Sequence, residues 1–360
     1  MKKDNLIIIL LGIVVLFIVG VTFFFLESVL LPFIVAVLLS IIFRPAVVYL
    51  NSKKIPMAIS LFIVVLVCAL MLSAVSFLIY NSVESFTNEF PKYESKFNQK
   101  TAGWGETLTN MTVSLGINPE DLTVSKLLPF STISQYISNF AGVFINLAGN
   151  VVMVLLFMLF LLAGTGDSST KIYRAFTKEH ADRISHIVNN ITKSVRTYLI
   201  KKTLISILTG TLYALITWLF GIDFPVFWGF LAFILNFIPN VGSLIATVFP
   251  VIFSLFQFDS FISSVIMLIL LIIAQNIVGN GIEPIVFAES LDLSPVLILI
   301  ALIFWGWLWG IVGMLLAVPL TATIKIICEN ISQLKPIAVL MGGNRNGQSL
   351  VEKVKKKKKD

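Results

Sequence analysis

Asn276, Asn280 and Glu283 fall at i, i+4 and i+7 in an otherwise apolar stretch, QNIVGNGIEP from Gln275 to Pro284. At 3.6 residues per turn this spacing puts two amides and a carboxylate on one helix face, with Gln275 beside them. In hydrocarbon such a stripe must be answered by another helix or by a water-filled path, and polar groups placed there are functional hypotheses by default. The amides would hydrogen-bond a small hydroxylated solute, and the carboxylate would exchange a proton or a cation. The plainer alternative for Glu283 is an interfacial carboxylate at a helix end before Pro284. A second polar interruption, NFIPNVG, brings Asn236, Pro239, Asn240 and Gly242 into another apolar run.

The surrounding composition says which solvent these residues meet. The chain has 57% apolar and only 12% charged residues, far from the roughly 25% charged residues of an average soluble domain. It reads as an all-α, polytopic membrane protein. The net charge of +7 is dominated by Lys353 and Lys355 to Lys359 near the C-terminus, so it marks a cytoplasmic tail facing anionic lipid rather than nucleic acid. Cys68 and Cys328 sit in or at the end of apolar runs and read as small hydrophobes. Neither His180 nor His186 has partners at metal-ligand spacing, so no metal, cofactor or catalytic residue is expected.

Apolar runs long enough to cross a ~30 Å core lie at 6–26, 29–50, 56–80 and 140–164. The first has a basic flank and no small-x-small cleavage site, and is expected to stay attached. Transmembrane segments 1–3 thus occupy 1–80, a polar extracytoplasmic insert 81–139, and segment 4 140–164. Lys2, Lys3, Arg44, Lys53 and Lys54 place the N-terminus and the loop after the second span in the cytoplasm. Within the insert, Phe86, Phe90, Tyr93 and Phe97 form an aromatic stripe if helical.

Residues 165–202 are basic and read as a cytoplasmic amphipathic helix, with Ile184, Val188, Ile191, Val195 and Tyr198 stepping by 4, 3, 4, 3 as a packing seam. The transport core follows at 203–328, and 329–360 is a basic cytoplasmic tail. From Thr203 to Ile324 there is no Lys or Arg but five acids, Asp223, Asp259, Glu283, Glu289 and Asp292, which points to protons or cations as counter-charges. All but Glu283 sit in predicted turns.

Two units, 203–256 and 261–325, repeat loosely. VGSLIATVFP (Val241–Pro250) matches VGMLLAVP (Val312–Pro319), and WGFL (Trp228–Leu231) matches WGWL (Trp305–Leu308). The segment 225–256 is too long for one plain span and is expected to break at NFIPNVG into two half-length helices, as transporters do near the midplane. Lys201 and Lys202 before the core and Lys325 after it both read as cytoplasmic, so the crossings between them are even in number. Either all four segments cross, or both WG-containing segments are re-entrant hairpins.

GNGIEP, LIFWGWLWGIVGMLLAVPL, IAVL (Ile337–Leu340) and FIPNVG closely resemble the autoinducer-2 exporter family of bacterial membrane proteins, along nearly the whole chain. The resemblance implies about eight transmembrane segments with broken or re-entrant helices in the C-terminal half, a homo-oligomer (a pentamer in the most similar branch), and efflux of a small polar solute. Some members are sodium or lithium/proton antiporters. Position by position it points to Pro239 and Gly242, to Asn280, Glu283 and Pro284, and to Gly306, Gly310, Gly313 and Pro319 in the last segment. Many members place a base after the Glu-Pro pair, where this chain has Ile285.

Three functions follow: export of a solute such as autoinducer-2 through the cytoplasmic membrane, with protons or sodium and lipids as further partners; cation/proton antiport; or an oligomeric passive pore or scaffold. The glycines also serve close helix packing in any of them. The sequence has no GxSxG, P-loop or metal cluster, so neither an enzyme nor direct ATP drive is expected.

Overall fold

A computed structural model describes residues 20–78, 149–164, 168–258, 260–287 and 292–343, with scattered positions at 11–18 and 80–142. The aromatic stripe of the insert, Asp259 and Glu289 lie outside the described residues. The described chain is all helical: α1 (Glu27–Ser52), α2 (Met57–Leu78), α3 (Val151–Gly164), α4 (Ser168–Ala175), α5 (Lys178–Leu219), α6 (Pro225–Leu235), α7 (Val241–Gln257) and α8 (Phe261–Gln275). A π-helical segment (Asn276–Ile282) then leads into α9 (Glu283–Phe287), α10 (Pro295–Asn330) and α11 (Lys335–Met341). Among the described residues, five helical stretches are long and apolar enough by length and composition to cross a membrane, those of α1, α2, α5, α8 to α9 and α10, although α10 is bent back on itself. The protein is a multi-pass membrane protein.

Contacts divide the chain into two compact units, Met1–Leu70 with Asn150–Lys202 and Val286–Asp360, and Met71–Gly149 with Thr203–Ile285. In the first unit α1 packs along α3, with Ala36, Met158 and Leu162 fully buried and Phe33 meeting Phe157 edge to face at 5.5 Å. The C-terminal half of the amphipathic seam predicted on the stretch 165–202 packs as a core, while Val188 stays exposed. Val195, Tyr198 and Leu199 bury against Val318 and Ala322 of α10, flanked by Leu38, Ile41 and Ile42 of α1. The stretch and the following span are one 42-residue helix, α5, with no break at Lys202–Thr203.

α10 is two helices joined without an intervening loop, and it folds back on itself. Trp309 (φ −135°) and Gly310 (φ 59°, ψ −143°) leave helical geometry, and Gly310 takes a left-handed φ that a side chain rarely adopts. Residues 295–308 and 311–330 are therefore two arms of a hairpin. The first arm, at ~1.5 Å per residue, is about 21 Å long, too short for a ~30 Å core.

In the second unit α6 and α7 form the other hairpin, broken at NFIPNVG as the sequence predicts. Its tip turns through Asn240, whose φ is 61°. Its open end is stitched by Gln257, which accepts from Asp223 N–H at 2.9 Å and donates to Gly221 C=O at 2.7 Å. Trp228 of α6 packs on Phe253 of α7 at 5.4 Å. α6, at 11 residues, is about 17 Å long.

The VG half of the repeat does the same work in both hairpins. A Cβ on Gly242 would lie 1.7 Å from Leu235 C=O, and one on Gly313 would lie 1.9 Å from Trp305 C=O. Each glycine lets the returning arm touch the backbone of the outgoing one. The WG half does not repeat its role. Gly229 of α6 meets Gly210 and Ala214 of α5, whereas Gly306 meets Met314 in its own hairpin.

Candidate functional site

Two of the three predicted stripe members stay neighbours, on a helix of different winding. The sequence predicts a helix ending before Pro284; instead α8 widens into the π-helical segment at Asn276, and helix runs on through Pro284 to Phe287. Proline has no N–H to donate and its ring clashes with the carbonyl one turn back, and a local change of winding is one way to carry the helix past it. The simple i, i+4, i+7 face therefore does not hold as far as Glu283. The first two members remain neighbours: Asn280 Nδ2 donates to Asn276 Oδ1 at 2.7 Å, and Asn276 Nδ2 donates to Ile272 C=O at 2.8 Å. Both asparagines are exposed on the chain's surface, near the middle of the 27-residue run 261–287.

Gln275 sits on the adjoining stripe. Its Nε2 lies 3.0 Å from where a Cβ of Gly279 would be, so Gly279 makes room for this amide. Gln275 Oε1 is buried and has no hydrogen-bond partner among the described residues. Ser264 Oγ, three helical turns earlier on the buried face, is also orphaned. A buried acceptor left unpaired costs about 1–3 kcal/mol. Glu283 is half-buried at the head of α9, and Pro284 is exposed. At the far end of this helix Lys201 donates to Val286 C=O at 2.6 Å, capping a carbonyl the helix leaves unpaired.

The hairpin tip separates the two asparagines predicted for it. Asn236 is 6% exposed, and its amide donates to Ser206 Oγ of α5 at 3.0 Å. Asn240 is exposed, and its backbone carbonyl accepts from the Ser243 hydroxyl at 2.9 Å and from Leu244 N–H at 3.3 Å. Pro239 is half-buried in the turn and Gly242 is buried against Leu235. Sequence reasoning missed the polar side chains that face this hairpin from α5. Ser206, Thr209, Tyr213 and Thr217 are all buried, and Tyr213 shares a 2.7 Å hydrogen bond with Thr247 of α7. Their 3, 4, 4 spacing is a readable signal.

The other named residues belong to the first unit. Gly306, Gly310, Gly313 and Pro319 shape the α10 hairpin; Gly313 and Pro319 are buried. Trp305 Nε1 donates to Thr321 at 3.3 Å across its arms, and Trp309 Nε1 donates to Phe23 C=O at 3.2 Å. Asp292 corrects the expectation of an uncompensated acid. Lys325, 5% exposed and one residue beyond the base-free run, pairs with it at 3.2 Å, and Gly343 N–H donates to its other oxygen at 3.1 Å. Cys68 and Cys328 are buried and unbridged. His180 and His186 are exposed and bond locally to Thr177 and Asn190.

The arrangement offers acceptors and donors for a small hydroxylated molecule and one carboxylate. A family profile described as AI-2E family transporter matches residues 8–333. The chain is 29% identical over 309 residues to the AI-2 transport protein TqsA of Escherichia coli K12, covering 84% of this chain and 86% of that one. It is 40% identical over 201 residues, 56% of each chain, to a Borreliella burgdorferi protein named as a candidate transport protein. The Escherichia coli K12 protein YhhT, named likewise, is 27% identical over 317 residues, 85% of this chain and 86% of that one.

Proposed function

Because the chain belongs to the AI-2E family of transporters, we propose that it is a secondary exporter of a small polar solute of the autoinducer-2 kind. It works in the bacterial cytoplasmic membrane as a homo-oligomer with both termini inside. The reading rests on one observation: the bonded pair Asn276–Asn280, exposed midway along an apolar helix, beside the orphaned Gln275 Oε1. Lipid against that face would cost the free amide groups several kcal/mol, so water, solute or another subunit covers it.

In this reading Asn280 Oδ1 accepts from the solute's hydroxyls and the spare amide hydrogens donate to its oxygens, while the buried Gln275 Oε1 is reached only as the helix rewinds. Glu283 exchanges the coupling proton. A shift between π and α winding over 276–282 would rotate the stripe and pass the solute along. Asn240 at the hairpin tip is a further contact. The likeness to the AI-2 transport protein TqsA supports the solute class.

The test is proton flux in proteoliposomes, with Glu283→Gln and Asn280→Leu beside the parent and sodium, lithium or autoinducer-2 added singly. Flux elicited by the solute alone and lost in both variants is expected. A cation alone driving proton movement, abolished in Glu283→Gln, would replace export with cation/proton antiport. Silence in folded, inserted protein would leave a passive pore or scaffold.

A further inference from the structure

A cleft of 680 Å³ opens in the first unit between the C-terminal turns of α1 and the N-terminal half of α5. It is within the ~300–1,000 Å³ of small-molecule sites. Two helix faces line it with the same i, i+3, i+4, i+7 spacing. α1 contributes Pro45, Val48, Tyr49 and Ser52, with Arg44 at the edge. α5 contributes Asn189, Thr192, Lys193 and Arg196.

The α1 stripe continues the one that carries Leu38, Ile41 and Ile42 into the core with Val195 and Tyr198. Past Ile42 the apolar seam gives way, and the next positions face an open, basic space. Three cations and no acid line it. Among the described residues, Arg44, Lys193 and Arg196 have no ion-pair or hydrogen-bond partner. Lys53 adds a fourth positive charge, its Nζ 5.7 Å from the centre of the Tyr49 ring. Uncompensated like charges held this close repel one another, and an anion relieves that repulsion.

We infer that this cleft binds a phosphate group, and that the source is an anionic phospholipid headgroup. Phosphate matches guanidinium forks flanked by hydroxyl and amide donors. The lipid source follows from the α1 face: Val48 and Tyr49 are 59% and 62% exposed beside the cations, an apolar wall for an acyl chain under a headgroup site. The cleft also lies at the end of α1 that carries Lys53 and Lys54, the basic side of that span, where cytoplasmic anionic lipids are met.

The full-length protein in detergent is titrated with cardiolipin, with phosphatidylglycerol, with phosphatidylcholine as a zwitterionic control, and separately with inorganic phosphate, read by native mass spectrometry. The anionic lipids are expected to be retained, and the Arg44→Gln/Lys193→Gln/Arg196→Gln variant to weaken them on the order of a hundredfold, at about fivefold per charge. Lys178→Gln, outside the cleft, is expected to bind like the parent. If the triple variant does not fold, the single variants carry the test at about fivefold each. Binding of inorganic phosphate but not lipid, with the same variant dependence, would overturn the lipid source and leave the phosphate site. Equal binding by parent and variants, or equal retention of phosphatidylcholine, overturns the site itself.

Discussion

The Trp305 indole N–H donates to the Thr321 hydroxyl at 3.3 Å across 16 residues of sequence. In a straight helix those residues would stand about 24 Å apart at ~1.5 Å per residue, so this bond dates the fold-back at Trp309–Gly310 as real packing. Thr321→Val removes the acceptor while keeping the shape. The indole N–H is then buried and unpaired, and a loss of about 1–3 kcal/mol is expected, read as a lowered Tm in detergent.

Gly242→Ala and Gly313→Ala each drive a methyl into a backbone carbonyl, at 1.7 and 1.9 Å. Neither carbonyl can move without opening its hairpin, so each variant is expected to lose at least the ~1–3 kcal/mol of an overpacked core. Gly281→Ala is the control, since its nearest neighbour is 4.0 Å away. Fluorescence-detected size-exclusion after heating separates them: equal melting of all three would refute the shared role of the VG pair.

Lys325→Met should cost about 2 kcal/mol, less than the ~3–5 of a fully enclosed pair because Asp292 keeps 29% exposure. Asp292→Asn combined with Lys325→Met should recover part of the loss. A thermal-melt double-mutant cycle reads the coupling, and strict additivity would show that the pair is not coupled.

Asn240→Gly separates fold from solute contact. Asn240 holds φ at 61° with no side-chain bond of its own, so glycine relieves about 1 kcal/mol of strain there. Melting should rise slightly while solute-driven flux falls. Unchanged flux would remove Asn240 from the proposed path.

Tyr173 donates to Asp182 at 2.6 Å, and that bond to the carboxylate holds its phenol above the usual tyrosine range. Because the folded state keeps the proton longer, the bond's contribution is complete below the unfolded value near 10 and is lost as pH rises through the folded one. Ultraviolet titration should show a late-titrating component equivalent to one tyrosine that moves back to the normal range in Asp182→Asn.

The break at NFIPNVG, the C-terminal half of the amphipathic seam and the Asn276–Asn280 pair were legible because each is a pattern local to one segment. NFIPNVG announces its turn through Pro239 and Asn240, and the step of 4, 3, 4, 3 from Ile184 announces the face that buries Val195 and Tyr198. Two features were not legible and a third was read only as one of two alternatives. The π winding before Pro284 is set by which carbonyl the proline leaves unpaired, which hydropathy does not encode. The hairpin in α10 matches the re-entrant alternative, but it hangs on one backbone conformation at Gly310 amid an unbroken apolar run, so the sequence alone does not choose it over a plain crossing. The partner of Asp292 was hidden by counting bases only up to Ile324, one residue short of Lys325.

The hairpins also bear on how the protein is made. Their outgoing arms, of 11 residues in α6 and about 14 in α10, carry no charged side chain, and each turns back within a few residues. Contacts such as Gly242 on Leu235 join neighbours in sequence, so they can form as soon as both arms leave the ribosome. Insertion machinery would then receive each pair already closed, with its backbone groups satisfied, and would have no hydrophilic loop to carry across.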